Sequence, residues 1–385
     1  MLGLARPRQL REASGMRAAV LHTIPGELTV EDVAVDGPGP REVLIHTEAA
    51  GLCHSDLHFM EGKYFAPTPM VLGHESAGIV EAVGSDVTHV KPGDHVITCI
   101  SSFCGQCEFC LAGRPSLCDQ VGLDRAPEGT PRLTLGGARC EQFFNLASFA
   151  EQMLVDERAL VKIRDDMPLD RAALIGCSVT TGVGAVFRTA KVEAGSTVAV
   201  IGCGGVGLNC VQGAALAGAS RVIAVDTNPM KLKMAEQFGA TDLVDATQGD
   251  PVARVKDLLP GPPVMGAFPG GGVDYAFEAI GLKQTAEQAF SMVKKGGTAT
   301  VIGMIPLGVN IEIHGVELLF EKKLQGSNMG SNRFRQDMPR LIDLYLDGRL
   351  KLDELVSARI HLDDVNEGFA AMTRGEVARS VVVFD

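Results

Sequence analysis

Tryptophan is absent from the 385 residues, tyrosine occurs three times, and aromatic residues make up only 5% of the chain. Cations are the minority charge, since 35 Lys plus Arg against 47 Asp plus Glu leave a net charge of −12. A chain short of both positive charge and aromatic rings lacks the electrostatic footprint of a nucleic-acid binder, and it has no broad attraction to an anionic membrane. No secretory leader is expected either. The first fifteen residues carry Arg6, Arg8 and Arg11 with no apolar run behind them. They read as a loose extension, with a mitochondrial transit peptide as the alternative. The one long uncharged stretch, residues 195–220, contains seven glycines together with Asn209 and Gln212. That composition suits a buried strand and helix better than a membrane span. The expectation is a cytoplasmic globular protein without membrane or nucleic-acid partners. Its length fits two to three domains of roughly 150 residues.

What the chain does have is 45 glycines, ten cysteines and nine histidines. Residues 16–178 hold short β-like runs broken by Pro and Gly, such as 42–48, 77–83 and 95–100. Without a β-α-β rhythm, they predict a mostly antiparallel β domain with irregular loops. From about 179 the character changes. Strand-like runs at 197–201, 221–226, 242–244, 273–280 and 298–302 alternate with helical ones from 206 and over 229–238. This is the signature of a parallel sheet covered by helices. An exposed Pro/Gly loop is expected over 260–272. The rhythm breaks at about 329 into an amphipathic helix over 337–346, and the closing run 381–384 returns to β character that would rejoin the first domain.

The run Gly202-Cys203-Gly204-Gly205-Val206-Gly207 follows an apolar strand and opens a helix. Gly202 permits the tight turn, Gly204 lets a pyrophosphate approach the backbone, and Gly207 lets helix and strand pack closely. The helix N-terminus would face the phosphates. Asp226 ends the next apolar strand, nineteen residues after Gly207, where a carboxylate can grip a ribose 2′-hydroxyl and repel a 2′-phosphate. The competing reading is a Gly-rich buried turn with an ordinary surface Asp. The strand–turn–helix context and the acidic residue favour NAD.

Cys104, Cys107, Cys110 and Cys118 are spaced C-x2-C-x2-C-x7-C. Four thiolates at such spacings close a tetrahedron around zinc with no open position, which is a structural site. A redox C-x-x-C would need two sulfurs near a helix start and not four. A zinc knuckle for nucleic acid conflicts with the charge. Three further donors, Cys53 in GLCHSD, His74 in GHE and Cys177 in GCSVTTG, are spread through the chain. Each alone reads as a small buried hydrophobe or a hydrogen-bonded structural His. Together they would supply two sulfurs and one imidazole with a fourth place open, although periodicity does not establish that they meet.

The ordered set GLCHSD, GHE, the four-cysteine lobe, GCSVTTG, GCGGVG and Asp226 resembles the zinc-dependent medium-chain alcohol dehydrogenases, from about residue 16 onward. The resemblance implies a GroES-like β-rich catalytic domain (16–178 and 329–385, with a zinc lobe at about 99–120) and a Rossmann NAD-binding domain (179–328). It implies two zinc ions, a catalytic one on Cys53, His74 and Cys177 and a structural one on the lobe, with Glu75 as an alternative ligand in some states. Asp56 would orient His74, and Ser55 and His58 match a proton relay. Thr181 and Val206 match positions lining the nicotinamide, Lys231 one beside the adenosine ribose, and Arg379 one at the pyrophosphate. The reaction implied is hydride exchange between an alcohol and NAD, giving an aldehyde or ketone.

Two departures stand out. Many members carry Arg after the first ligand, whereas this chain has His54, a weaker phosphate contact that predicts looser NAD binding. Members that act on formaldehyde with glutathione carry Arg four residues past the last lobe cysteine, where this chain has Gly122. A thiol-dependent formaldehyde or nitrosothiol oxidoreductase is therefore the second reading. A zinc-free quinone reductase-like relative and a non-catalytic zinc module follow it. Phe65, Phe103 and Leu146 are candidate pocket walls, and residues 298–306 a candidate edge strand for a homodimer or homotetramer.

Overall fold

The computed structural model describes residues 14–120, 122–263 and 270–384. The expected extension, with Arg6, Arg8 and Arg11, lies almost wholly outside the described residues; the first strand begins at Ser14, two residues earlier than expected. Both halves of the expected architecture are present, a β-rich unit and a helix-covered parallel sheet.

In the β-rich unit, Ser14–Leu21, Leu28–Val35, Leu133–Leu135, Ala138–Gln142 and Met70–Val71 close a barrel in that order. A second sheet runs Leu160–Lys162, His95–Thr98, Ser76–Val83, Glu42–Gly51, Arg379–Val383, Val356–Ile360. The Gln152–Asp156 strand also pairs with Glu42–Gly51. Through most of its length Glu42–Gly51 alternates buried and half-buried residues, the pattern of an antiparallel strand with one face on a core. The C-terminal strand crosses back, as expected, to pair antiparallel with it, Val382 opposite Ala50.

The third sheet is parallel and six-stranded, in the order Asp242–Asp245, Arg221–Asp226, Thr197–Ile201, Val273–Glu278, Val293–Val301, Lys323–Gly326. Val198, Val200, Val222 and Ala224 pack into one buried cluster, and Ala199, Ile201, Ile223 and Val225 into another. Such strands are buried on both faces, which is why they read as unbroken β-branched runs. One expectation fails here. The strand that includes residue 298 is interior, and the edges of the sheet are the Asp242–Asp245 strand and, beside the residue 298 strand, the short, polar Lys323–Gly326 strand.

The two units join through a helical run, Leu169–Ala190. Among the described residues it is the one helix long and apolar enough to cross a membrane, and 78% of that window is buried inside the protein. Residues 195–220, the long uncharged stretch, form, as expected, the buried Thr197–Ile201 strand and the buried Gly205–Leu216 helix. The polar groups of that helix are satisfied: Asn209 donates to the Gly205 carbonyl at 2.7 Å, and Gln212 accepts from the Lys351 N–H at 2.9 Å. The joining run is irregular, with wide π-type turns at Ile175–Val179 and Ala185–Ala190. The first of these contains Cys177.

Candidate active site

Strand order reverses between Thr197–Ile201 and Val273–Glu278, and in open parallel sheets the crevice beyond such a switch point takes the ligand. Here that crevice opens onto the β-rich unit, forming a cleft of about 520 Å³.

At its floor Cys53, His74 and Cys177 place one donor atom each within 4.8 Å of one another, all buried. They arrive from three places. Cys53 is the extended residue that starts the His54–Met60 helix, His74 follows the Met70–Val71 strand, and Cys177 rides the π turn, a distortion frequent at functional sites. Asp56, wholly buried, accepts from the Gly73 N–H at 3.0 Å and lies 3.2 Å from His74 Nδ1. That contact occupies Nδ1 and leaves Nε2 as the donor nitrogen. Burial alone would push His74 down, but the Asp56 carboxylate holds it well above the usual imidazole range. Burial raises Asp56 itself. Cys53 is drawn well below the thiol range by hydrogen bonding with Cys177, which overcomes burial, and Cys177 is raised correspondingly. Two sulfurs competing for one proton beside an oriented imidazole suit a divalent cation that displaces protons on binding.

The structure does not bring Glu75 into that donor group. Its Oε1 accepts from Ser178 Oγ at 2.7 Å, and its Oε2 lies 3.5 Å from Arg379. Burial pushes Glu75 up to about 7, against the pull of Arg379. Ser55 Oγ donates to Met304 Sδ at 3.2 Å and lies 3.8 Å from Cys53 Sγ. One helical turn on, His58 is pushed down by burial and by Lys63, and its buried Nδ1 has no partner.

The lobe sulfurs of Cys104, Cys107, Cys110 and Cys118 likewise lie within 4.8 Å of one another, half-buried. Backbone N–H groups point at them: Cys104 and Gln120 donate to Cys118 Sγ at 3.1 Å each, and Cys107 donates to Cys104 Sγ at 3.3 Å. Such donors stabilise thiolates, so the residues fit a closed tetrathiolate zinc site.

On the opposite wall Gly202 turns the chain with φ +91°. Gly204 faces open space, whereas a Cβ on Gly205 would overlap the Arg379 guanidinium. Arg379 is buried on the start of the Gly205–Leu216 helix, donates to the Leu52 carbonyl at 2.7 Å and leaves Nε without a partner. Asp226 accepts from the Cys203 N–H at 2.7 Å and the Asn228 N–H at 2.9 Å, so its carboxylate is fixed at the crevice rim. His54, Thr181, Val206 and Lys231 line the same cleft. The His54 ring is reachable from solvent yet enclosed between the two units. That enclosure, reinforced by Arg379 and Lys231, pushes it down to about 4, so it faces the cleft uncharged at neutral pH. The residues fit a dinucleotide: a helix N-terminus, a buried Arg with a free N–H, and a carboxylate held for a hydroxyl.

The expected pocket walls are corrected. Phe65 is 74% exposed, Phe103 packs on Phe334 and Arg335, and Leu146 is in the core. Among the described residues none of the three lines the cleft; Ile100, Phe144, Ile280, Met304 and Met329 do. Phe144 and Met329 have left-handed backbones, φ +48° and +49°, which no sequence pattern announces. Gly122 also lies away from the cleft lining, its carbonyl accepting from Arg158 at 2.8 Å.

Comparison with known proteins agrees with this geometry. Residues 39–165 match the alcohol dehydrogenase GroES-like domain, and residues 205–347 match the zinc-binding dehydrogenase family. The chain is 38% identical over 375 residues to an S-(hydroxymethyl)glutathione dehydrogenase of Paracoccus denitrificans, covering 96% of this chain and 99% of that one. It superposes on the benzyl alcohol dehydrogenase of Acinetobacter calcoaceticus with a TM-score of 0.89 at 31% identity, covering 97% of this chain and all of that one. A zinc-binding dehydrogenase of Sinorhizobium meliloti solved with NADP aligns with a TM-score of 0.77 at 31% identity, covering 96% and 100%.

Proposed function

We propose, for a chain that belongs to the zinc-containing medium-chain alcohol dehydrogenase family, that this zinc-dependent alcohol dehydrogenase works with NAD on plain alcohols and needs no thiol cofactor. The observation that carries the reading is one cleft with the Cys53–His74–Cys177 donors on one wall and the glycine turn at 202–207 on the other. When bound there, zinc supplies a Lewis acid toward the alcohol oxygen and the nicotinamide supplies a hydride acceptor.

The chain's own residues do the rest. Asp56 fixes the His74 ring. Ser55 Oγ, beside the ligand sulfur Cys53, is placed to hold the proton that leaves the alcohol. His58, kept neutral by burial, is the base placed to carry that proton toward solvent. Ile100, Phe144, Met304 and Met329 wall the space next to the donors and exclude water from it. The Asp226 carboxylate favours NAD because a 2′-phosphate would meet a fixed negative charge. Gly202, Gly204, Gly205 and Gly207 would seat the pyrophosphate with Arg379, His54 adding only a neutral donor. Lys231 would lie beside the ribose, and Thr181 and Val206 beside the nicotinamide. The domain limits given above, a cytoplasmic location and a homodimer or homotetramer belong to the same reading.

The thiol-dependent reading draws on the glutathione-linked relative. Against it, the cations lining the cleft among the described residues are Lys231, which this reading uses beside the ribose, and a buried Arg379 that is already engaged by the Leu52 carbonyl and Glu75, so neither is set aside for an adduct carboxylate. A panel of alcohols and aldehydes with and without low-molecular-weight thiols, followed at the NADH absorbance, decides the matter. Turnover of plain alcohols without thiol is expected. Activity only with formaldehyde plus thiol would replace this reading by the second.

A further inference from the structure

Glu278 ends the Val273–Glu278 strand at the switch point, directly opposite Ile201. It is a fully buried carboxylate, and among the described residues it forms no ion pair. Its Oε1 accepts three hydrogen bonds, from the N–H of Ile280 at 2.9 Å, the N–H of Gly281 at 2.7 Å and the hydroxyl of Thr285 at 2.8 Å. Its Oε2 is buried with no partner. Its backbone carbonyl accepts from the N–H groups of Ile302 at 2.8 Å and Gly303 at 3.1 Å. One residue therefore ties together the two turns, 279–281 and 302–304, that carry Ile280 and Met304 into the cleft. The turns also touch each other, since a Cβ on Gly281 would press on the Met304 backbone. Ile280 in turn lies against Gly202, the first glycine of the nucleotide turn.

A buried carboxylate with one oxygen unpaired and no cation beside it is a poor stabiliser, because desolvation offsets much of what its hydrogen bonds return. A neutral cap would stop this strand as well. What the charge adds is stiffness: charge-assisted bonds to two successive N–H groups leave the turn one conformation. We propose that Glu278 is a positioning residue that holds the crevice wall facing the 202–207 turn at the width a dinucleotide needs, and through Met304 sets the wall over Ser55. The proposal rests on the reading of the crevice as the nucleotide site.

The test uses Glu278→Gln and Thr285→Val in the full-length, zinc-loaded protein, at a temperature where circular dichroism shows each variant folded. NADH affinity is read by fluorescence titration, and KM and kcat by NADH absorbance. For E278Q, NADH affinity should fall and KM for NAD should rise by about tenfold to a hundredfold, the scale of a displaced positioning wall. T285V, which keeps the carboxylate and removes one donor, should shift both in the same direction by about threefold to fivefold, one partial contact among three. A folded E278Q with NADH affinity and KM within about twofold of the parent would overturn the proposal. So would an E278Q that fails to fold while T285V binds NADH as the parent does. If the parent protein itself binds no NADH, the nucleotide reading fails instead.

Discussion

Asp56→Asn removes the charge behind His74 and almost nothing else. Asp56 is fully buried, and its Oδ1 meets the Gly73 N–H at 3.0 Å and His74 Nδ1 at 3.2 Å. The amide has the same shape, but it either offers a weaker acceptor or turns an N–H toward the Nδ1 proton. Outer partners of metal-bound imidazoles are worth about 10–100-fold in affinity, which is about 1.4 to 2.7 kcal/mol at 1.36 kcal/mol per tenfold. The assay is dialysis of D56N against a graded zinc-buffering chelator, with zinc per chain read by atomic emission. The four-cysteine lobe is an internal reference, because Asp56 is not among its sulfurs or their N–H donors. The variant should pause at one zinc per chain at chelator strengths that leave the parent with two. If D56N kept both zinc ions as tightly as the parent, or lost both together, Asp56 would not act through His74.

Other predictions concern the surrounding scaffold. Cys104→Ser should lose the lobe zinc and also raise KM for alcohol, since Asn328 reaches the Ser116 carbonyl at 2.7 Å and Arg333 the Gly113 carbonyl at 3.0 Å, tying the lobe to the segment that carries Met329; zinc content and steady-state kinetics read both effects. Gly205→Ala should weaken NADH binding by about tenfold or more, because the new Cβ displaces Arg379 from the helix start; fluorescence titration with unchanged affinity would contradict this. Glu42 is buried and tends upward, but hydrogen bonds from Arg125 and Arg132 bring it below the usual carboxylate range. A depressed carboxylate stabilises the fold above its unfolded pKa of about 4.3 and loses that effect as pH falls through the lower folded value. Glu42→Gln should therefore cost about 3–5 kcal/mol at pH 7, a deficit in urea unfolding that shrinks once the pH drops below about 4.

The parts of the protein legible in its sequence are those whose physics is local. The parallel strands stand out because burial on both faces leaves runs such as TVAVI and RVIAVD unbroken. The lobe stands out because its four sulfurs lie within fifteen residues of chain. Cys53, His74 and Cys177 are different: a helix start, a post-strand turn and a π turn bring them together, and no periodicity encodes that meeting. Their grouping could be expected only through the family resemblance. The cleft walls are illegible in the sequence for the same reason. Phe144 faces the cleft because its backbone is left-handed, while its neighbour but one, Leu146, points into the core. The edge strand on that side, KLQG, is too short and polar to stand out in the sequence, whereas the apolar run before it does. Glu278 leaves only a faint signal, a charge closing an apolar strand as Asp226 does.

If Cys53, His74 and Cys177 hold the zinc on which alcohol oxidation depends, Cys53→Ser in the full-length protein should lower zinc per chain from two to one, with the lobe zinc retained, and abolish turnover. Zinc content and NADH formation from a plain alcohol are read on the same preparation. Full zinc content with turnover intact would rule that site out.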